Sequence, residues 1–418
     1  MISIDEAYAI LLREAGAGAH VQVELVEAYG HALAEDACAD RDFPPFDQAR
    51  VDGFALRSED VIAVPRVLDV IEYVPAGKVP THAVGPGQAV RIMTGAPVPV
   101  GADAVVMQEH TQPAEKIGPA HVRQEASPAH PFSASHLSQA VLIERPCASE
   151  ANIARRGSDV QRGTTVISAG TRLGPAEVGI LAAIGCVRVP VRRKPRLAIL
   201  GSGDELVEPG HEPLPQQIRN SNSYQLLAQA AANDLDAVYL GIAPDDPHVT
   251  RRMIERGLEA DVFISTGGVS VGDKDHVGAA FKDLGVEVFF NKVSIKPGKP
   301  TTFGRRGQTL VFGLPGNPVA ALVCFHLFVM TALRQRMGYA EPLPSTLRLP
   351  LKGSVKVGGD RPVFRPGKYR TEDGATRVEP LRWHGSGDLT GCASADGFIF
   401  QPALQALNEG EHVCFYPL

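Results

Sequence analysis

Three stretches of this 418-residue sequence concentrate residue types that hold phosphate or other oxyanions. Ser265–Asp275, STGGVSVGDKD, places three glycines and three hydroxyl residues ahead of Asp273 and Asp275. Gly267, Gly268 and Ser270 in that run have the make-up of a backbone cradle for an anion. A flexible surface loop has the same composition. The run is neither a P-loop, since no Gly-Lys-Ser/Thr follows, nor GxGxxG. Ser294–Pro300, SIKPGKP, holds Lys296 and Lys299 in a stiff, proline-bounded segment, with Lys292 four residues before Lys296. Lysine there is a compact point charge. LPGNP, residues 314–318, ends an apolar run: Asn317 suits an N-cap, Pro318 a first helical turn, and Gly316 a close backbone approach. An ordinary capped helix has that signature too, and so does a helix N-terminus that binds anions. Acids complete the set: Asp204 and Glu205, Asp245 and Asp246, Asp273 and Asp275 each follow an apolar run. Hard oxygen donors beside phosphate point to Mg²⁺, which takes one or two carboxylates plus phosphate oxygens and water. Asp246 precedes Pro247 and reads as a helix cap, leaving Asp245 for function.

Other chemistries fit poorly. The net charge of −6 argues against a general nucleic-acid binder, which needs a basic surface. Six cysteines without a CxxC pair form neither a zinc site nor a disulfide framework and read as thiols in a reducing compartment. Histidines show no HxxxH or HExxH pattern, so a catalytic zinc is not expected. The first residues are acidic where a signal peptide is basic. Val319–Leu333, the longest apolar run, reads as too short to span a bilayer. A cytoplasmic protein without membrane or nucleic-acid partners is expected.

These residues need a scaffold. Residues 3–34 read as helical, broken at Gly16 and Gly18. From Phe43, short β-rich runs alternate with Pro/Gly turns, and the stretch from about Gln112 to Cys147 reads as an extended surface loop. From residue 194 the rhythm changes. Apolar runs at Arg196–Leu200, Ala237–Ile242, Asp261–Ser265 and Leu310–Phe312 alternate with helical stretches, the pattern of a parallel sheet. Ligands of such sheets bind beyond the carboxyl ends of the strands, where all four runs release a Gly-plus-polar turn. After Gly338 only strand-like runs remain: Thr346–Leu351, Pro362–Phe364, Gly397–Gln401 and His412–Tyr416. The fold class is multidomain α/β: a parallel-sheet domain at 193–337, a β-rich lobe at 43–149, a small C-terminal β-domain at 338–418, and a helical and mixed N-terminal domain from 1–42 and 150–192.

Eight motifs occur in a fixed order: VDGFA, RIMTGAPVPVGADAVVMQE, RRGSD, GSGDEL, IRNSNSY, STGGVSVGDKD, IKPGKP and LPGNPVA. In that order they resemble the bacterial molybdopterin molybdenumtransferases, the family related to the C-terminal domain of gephyrin. The resemblance covers nearly the whole chain. It implies that the α/β domain is molybdopterin-binding and similar to molybdopterin adenylyltransferases. It also implies a homodimer, with the site between one subunit's α/β domain and the partner's lobe. The implied reaction takes adenylylated molybdopterin and molybdate, with Mg²⁺, and releases AMP. Asp52, Thr94, Gly95, Arg156 and Asp159 would then meet the pterin–adenylate from the lobe. Glu205, Asp245 and Asp275 would bind Mg²⁺ or orient water. Lys292, Lys296 and Lys299 would hold phosphate and molybdate, and Ser386 would contribute from the C-terminal domain. Ser202, Gly267, Gly268, Ser270, Pro315, Gly316 and Asn317 would line the substrate. The expected catalytic set is Asp52, Glu205, Asp245, Asp275, Lys296 and Lys299. Other proteins of the molybdenum-cofactor pathway, the adenylyltransferase included, are expected partners.

Three departures stand out. Gln48-Ala-Arg-Val51 precedes Asp52 where the family has Ser-Ala-Met or similar. The loop at 112–147 is long. The C-terminal arginine motif reads Arg361-Pro-Val-Phe-Arg365, its second arginine one place early. Rival readings are a molybdopterin adenylyltransferase, a tungstate-specific paralogue and a gephyrin-like scaffold.

Overall fold

A computed structural model describes residues 1–114, 140–268, 276–372 and 374–418. The chain forms two compact units: Met1–Glu35, Ser168–Ala182 and Cys186–Leu418 make the first, and Asp36–Ile167 with Ala183–Gly185 the second.

The first unit is built on a six-stranded sheet of β1 (Leu197–Ser202), β2 (Ala237–Ala243), β3 (Val262–Thr266), β4 (Glu287–Phe290), β5 (Thr302–Arg306) and β6 (Thr309–Leu314), in the order β2-β1-β3-β6-β5-β4. The first four are mutually parallel. The expected strands are present, and two more extend the sheet: β5 runs antiparallel to β6, and β4 antiparallel to β5. The β5–β6 hairpin turns at Gly307, φ +58°.

Alternation along each strand feeds two cores. Leu197, Ile199, Val262, Ile264, Leu310 and Phe312 face one; Ala198, Leu200, Phe263 and Val311 face the other. Helices cover both sides, which is why these strands read as unbroken apolar runs. On the first side lie α1 (Ile4–Ala15), α3 (Asn222–Ala232) and α6 (Pro318–Arg336); on the second, α4 (Pro247–Gly257) and α5 (His276–Asp283). A further helix, α2, spans Pro175–Ala183, its last residue falling in the second unit. α1 is capped by Ser3 and Glu6 in a reciprocal capping box and buries Ala7, Leu11 and Ala15, one stripe at i, i+4, i+8. Asp246 caps α4, accepting from His248 N and Val249 N at 2.9 and 2.8 Å.

Two helical readings need correction. The helix expected over residues 3–34 stops at Ala15; Gly16 (φ +62°) turns the chain, and His20–Glu24 pairs antiparallel with Arg188–Arg192. HVQVE alternates with period two, a strand pattern. The apolar run from Val319 sits in a helix of 19 residues, long enough to cross a bilayer, but 72% of its apolar window is buried in this fold. It is a core helix, with a π-helical segment at Phe325–Val329.

The C-terminal β-domain belongs to the same unit. It contains β7 (Leu347–Pro350), β8 (Val363–Glu372), β9 (Ala375–Pro380), β10 (Gly397–Gln401) and β11 (His412–Pro417), ordered β7-β11-β10-β8-β9.

The second unit carries a six-stranded sheet ordered Ala104–Met107, Gly53–Leu56, Gln88–Ile92, Arg66–Val74, Ala140–Ile143, Thr111–Ala114. Its last two strands pair across the stretch read as one surface loop, so that loop is framed by a β-ladder at both ends. Residues 115–139 lie outside the described residues.

Candidate active site

The parallel register brings four turns to one rim. Ser202 pairs with Ala243, Gly201 with Thr266, and Thr266 with Leu314, so these carboxyl ends are neighbours. The turns beyond them interlock. Gly203 N donates to Ala243 O at 3.1 Å, Asp245 N to Asp204 Oδ1 at 2.9 Å, and Gly267 N to Leu314 O at 3.2 Å. A Cβ on Gly267 (φ +85°) would lie 2.4 Å from Ser202 O, so only glycine lets these two turns touch. Ser202 is buried, and its Oγ faces Gly268, while Gly316 sits against Gly267. Glu205, Asp245, Ser202, Gly267, Gly268, Pro315, Gly316 and Asn317 are thus assembled in one place. Ser270 and Asp275, with Asp273, lie outside the described residues.

Glu205 folds its carboxylate over Gly203: a Cβ there would meet Glu205 Oε2 at 2.4 Å. Glu205 and Asp245 are therefore hard oxygen donors on the ends of adjacent strands. Among the described residues no three His, Cys, Asp or Glu side chains gather. An all-protein cage needs a larger set of donors; a magnesium held largely by phosphate and water takes one or two carboxylates. The donor set fits Mg²⁺ in that role.

The lysine-bearing segment starts and ends at the same rim. β5 is antiparallel to β6, with Thr302 beside Gly313, so the segment entering β5 arrives where β6 leaves. β4 ends there too, since Phe290 pairs with Phe303. Residues 291–301 therefore emerge on the side of the four turns. Their backbone is fixed throughout. Ile2 N donates to Lys292 O and Ser294 N to Ile2 O; Lys296 N donates to Pro362 O and Phe364 N to Lys296 O; Arg361 Nη1 donates to Ile295 O. Gly298 (φ +115°) lies against the Cys324 sulfur of α6, and Thr301 Oγ1 donates to Gly298 O at 2.6 Å. Cys324 lies six residues into α6, about 9 Å from its start. Burial pushes its thiol up to about 12, so it acts as packing. Lys296 and Lys299 are exposed and Lys292 is half-buried. Among the described residues none of the three has a carboxylate within ion-pair distance.

Ser386 comes to the start of α6. Its Oγ accepts from Asn317 Nδ2 at 2.9 Å and its carbonyl from Val319 N at 3.0 Å. This corrects the simple capped-helix picture: Asn317 has N-cap geometry, but its side chain makes no cap bond. Pro318 has no N–H and that of Val319 is taken, so α6 does not present a full open terminus. The loop carrying Ser386 is knitted by Asp388, which accepts from His384 N, His384 Nδ1, Thr390 Oγ1 and Gly391 N. These bonds, led by Thr390, hold its carboxyl far below the usual range. Arg365 is engaged elsewhere: its Nε donates to the buried Gln401 at 2.8 Å, and Gln401 braces the Lys356 and Gln405 carbonyls.

The second unit groups the other candidates. Thr94 donates to Asp52 Oδ1 through both Oγ1 (2.6 Å) and N (2.8 Å), and these bonds lower the Asp52 carboxyl below its ordinary value. Gly95, φ +81°, adjoins them and donates to Ala49 O. Arg156 is not a free cation: its Nε pairs with Asp42 at 2.6 Å and its N donates to Asp47. Arg155 pairs with Asp47 and Glu150. Asp159, exposed, is anchored through N–H to Phe43 O at 3.0 Å. Asp42, Asp47, Asn222, Arg361 and Asp388 were missed in the sequence. Asp42, Asp47, Asn222 and Arg361 act through long-range bonds that spacing does not reveal, whereas Asp388 bonds only within four residues, in a turn whose composition is that of any loop.

Comparison with known proteins bears on this arrangement. Residues 2–185 match the MoeA N-terminal region (domain I and II), 198–335 a probable molybdopterin binding domain, and 348–418 the MoeA C-terminal region (domain IV). The chain is 34% identical over 406 residues to a molybdopterin molybdenumtransferase of Bacillus subtilis (strain 168), covering 96% of this chain and 90% of that protein. It is 35% identical over 390 residues to one of Nostoc sp., covering 91% and 84%. A molybdopterin biosynthesis moeA protein from Pyrococcus horikoshii OT3 superposes with a TM-score of 0.80 at 30% identity, covering 100% of both chains. With all three parts matched in order along its length, the chain belongs to the molybdopterin molybdenumtransferase family, whose members build the molybdenum cofactor.

Proposed function

We propose that this protein inserts molybdenum from molybdate into adenylylated molybdopterin and releases AMP. One observation carries the reading: carboxylates of two adjacent strand ends and three lysines without carboxylate partners among the described residues emerge on a single rim of the sheet. Opening a phosphate anhydride builds charge on oxygen, and fixed cations placed against it lower the barrier. Lys296 and Lys299 are fixed at the backbone and exposed at the ammonium, which suits that task and the holding of molybdate. Glu205 and Asp245, with Asp275, would hold Mg²⁺. When bound, that ion neutralises phosphate charge. Ser202, Gly267, Gly268, Ser270, Pro315, Gly316 and Asn317 would line the nucleotide-linked cofactor, with Ser386 closing the side nearest α6. Asp52, kept ionised by Thr94, would accept hydrogen bonds from the substrate, beside Gly95, Arg156 and Asp159.

The reading extends to assembly and place. α2 (Pro175–Ala183) buries only Leu181 and exposes Ala176, Gly179, Ile180 and Ala182, an apolar face that a homodimer contact would cover. The reaction belongs in the cytoplasm, where the adenylyltransferase and other pathway proteins would hand over substrate. The test is incubation of purified protein with adenylylated molybdopterin, Mg²⁺ and micromolar molybdate. AMP release that depends on molybdate is the expected result; release that ignores molybdate, or none, rejects the reading.

A further inference from the structure

The turn at Gly316 and Asn317 presents two consecutive backbone N–H groups that have no acceptor among the described residues, and both residues are exposed. What aims them outward lies behind the peptide planes. Both peptide bonds are trans, so each carbonyl points opposite to the N–H that follows it. Pro315 O accepts from Thr266 Oγ1 at 3.3 Å, and Gly316 O accepts from Asn222 Nδ2 at 2.8 Å. Asn222 spends its other proton on Thr266 Oγ1, also at 2.8 Å. The three bonds make a directional relay: one amide donates to a hydroxyl and a carbonyl, and the hydroxyl donates onward to the next carbonyl. One turn along α3, Gln225 Nε2 donates to Pro318 O at 3.0 Å.

We propose that Asn222 is a positioning residue for the transfer reaction, fixing the turn after β6 to the end of β3 so that the Gly316 and Asn317 N–H groups face the substrate. The proposal rests on the molybdenum-transfer reading above. Asn222 opens α3 but does not cap it. That task falls to Asn220, whose Oδ1 accepts from Ser223 N at 3.2 Å. Asn222 is buried and looks across to two other elements. An aliphatic residue would pack that space and leave the Gly316 carbonyl unheld, free to rotate its peptide and turn the N–H of Asn317 away.

The test is steady-state AMP release by the full-length protein, with active sites titrated, for Asn222→Ala, Asn222→Asp, Thr266→Val and the Asn222→Ala/Thr266→Val double variant. Asn222→Asp keeps the size and replaces both donors with acceptors. A displaced turn misaligns reacting groups, and such misplacement costs on the order of 100-fold. We expect both Asn222 variants to lose about 30-fold or more in kcat per titrated site, with KM for adenylylated molybdopterin changed less than about threefold. Thr266→Val cuts the same relay, so its loss and that of Asn222→Ala combine to less than their product. A purely structural asparagine would instead lower the titrated fraction and leave kcat per site intact. Variants within about twofold of wild type per site, or multiplicative losses, overturn the proposal. If the Asn222 variants do not fold, Thr266→Val, nearly unchanged in volume, decides on the same criterion. Absence of AMP release by the wild type is a separate result, which rejects the functional reading itself.

Discussion

Lys299 is exposed, lacks a carboxylate partner among the described residues, and is held by its backbone, its carbonyl accepting from Val293 N at 3.0 Å. Lys299→Ala should therefore cost activity without stability: a drop of about 10²–10³ in kcat for AMP release and an unchanged unfolding midpoint. Asp275→Asn should abolish the same activity while leaving the protein folded. Retained full turnover in both variants would remove these residues from the site. At Asp52, Thr94 supplies a hydroxyl bond and a backbone bond that favour the carboxylate. Thr94→Val leaves only the backbone bond, so the carboxyl rises toward its ordinary value. The acid limb of the rate profile should then move to higher pH, and an unmoved limb would show that Asp52 does not control it. Much at this scale was legible: residue types and order placed Glu205, Asp245, the glycines and the lysines in one neighbourhood. The Ser386–Asn317 and Asn222–Gly316 bonds were not legible. They join residues 69 and 94 positions apart through side chains whose local signature, polar and turn-forming, is that of any loop.

Elements were legible in proportion to how completely they are buried. β1, β3 and β6 have helices on both faces and read as continuous apolar runs. β4, at the sheet's outer edge, exposes Glu287 and Val288. β5 is split in character by Thr302 and two arginines, so neither carries a strong period. β9 alternates charges rather than apolar residues. The segment after Gly18 was misread because three apolar positions, Leu25, Val26 and Leu33, match a helix loosely, while HVQVE matches a strand strictly. Two element-scale predictions follow from packing. His326 lies in the π-helical segment of α6, with Nε2 buried and unpartnered, and burial lowers its pKa from 6.5 to about 4. The folded state favours the neutral ring, so its stability is full above the unfolded value and falls as pH drops from 6.5 toward 4. The loss is roughly 3 kcal/mol. His326→Phe should flatten the unfolding midpoint across that range, and a slope equal to wild type would exclude the histidine as its cause. In the lobe, a Cβ on Gly53 would lie 1.9 Å from Val106 O, a backbone atom of the paired strand. Gly53→Ala should open that ladder and destabilise the lobe by a few kcal/mol, measured by chemical denaturation. A variant as stable as wild type would show that the ladder can give way.

At the scale of the whole molecule, length and composition fixed only that several β-rich parts accompany one α/β sheet. The matches to three successive regions of one family, along nearly the full chain, supply the rest. The proposed homodimer makes a molecular-scale prediction. Ile180, 38% exposed on the apolar face of α2, should tolerate lysine in a monomer and disrupt a dimer seated there. Light scattering after size exclusion should give twice the 44.5 kDa chain mass for wild type and one chain mass for Ile180→Lys. A monomeric wild type rejects the dimer, and a dimeric variant rejects this face. The deepest commitment is that acids, glycine turns and lysines serve one ligand at one rim. Anomalous diffraction from crystals of the protein with molybdate and adenylylated molybdopterin tests it most directly. The molybdenum peak should stand within about 3–5 Å of the Lys296 or Lys299 ammonium, on the side of the sheet where Glu205 and Asp245 emerge. A peak at the amino ends of the parallel strands, or in the C-terminal domain away from Ser386, would contradict it.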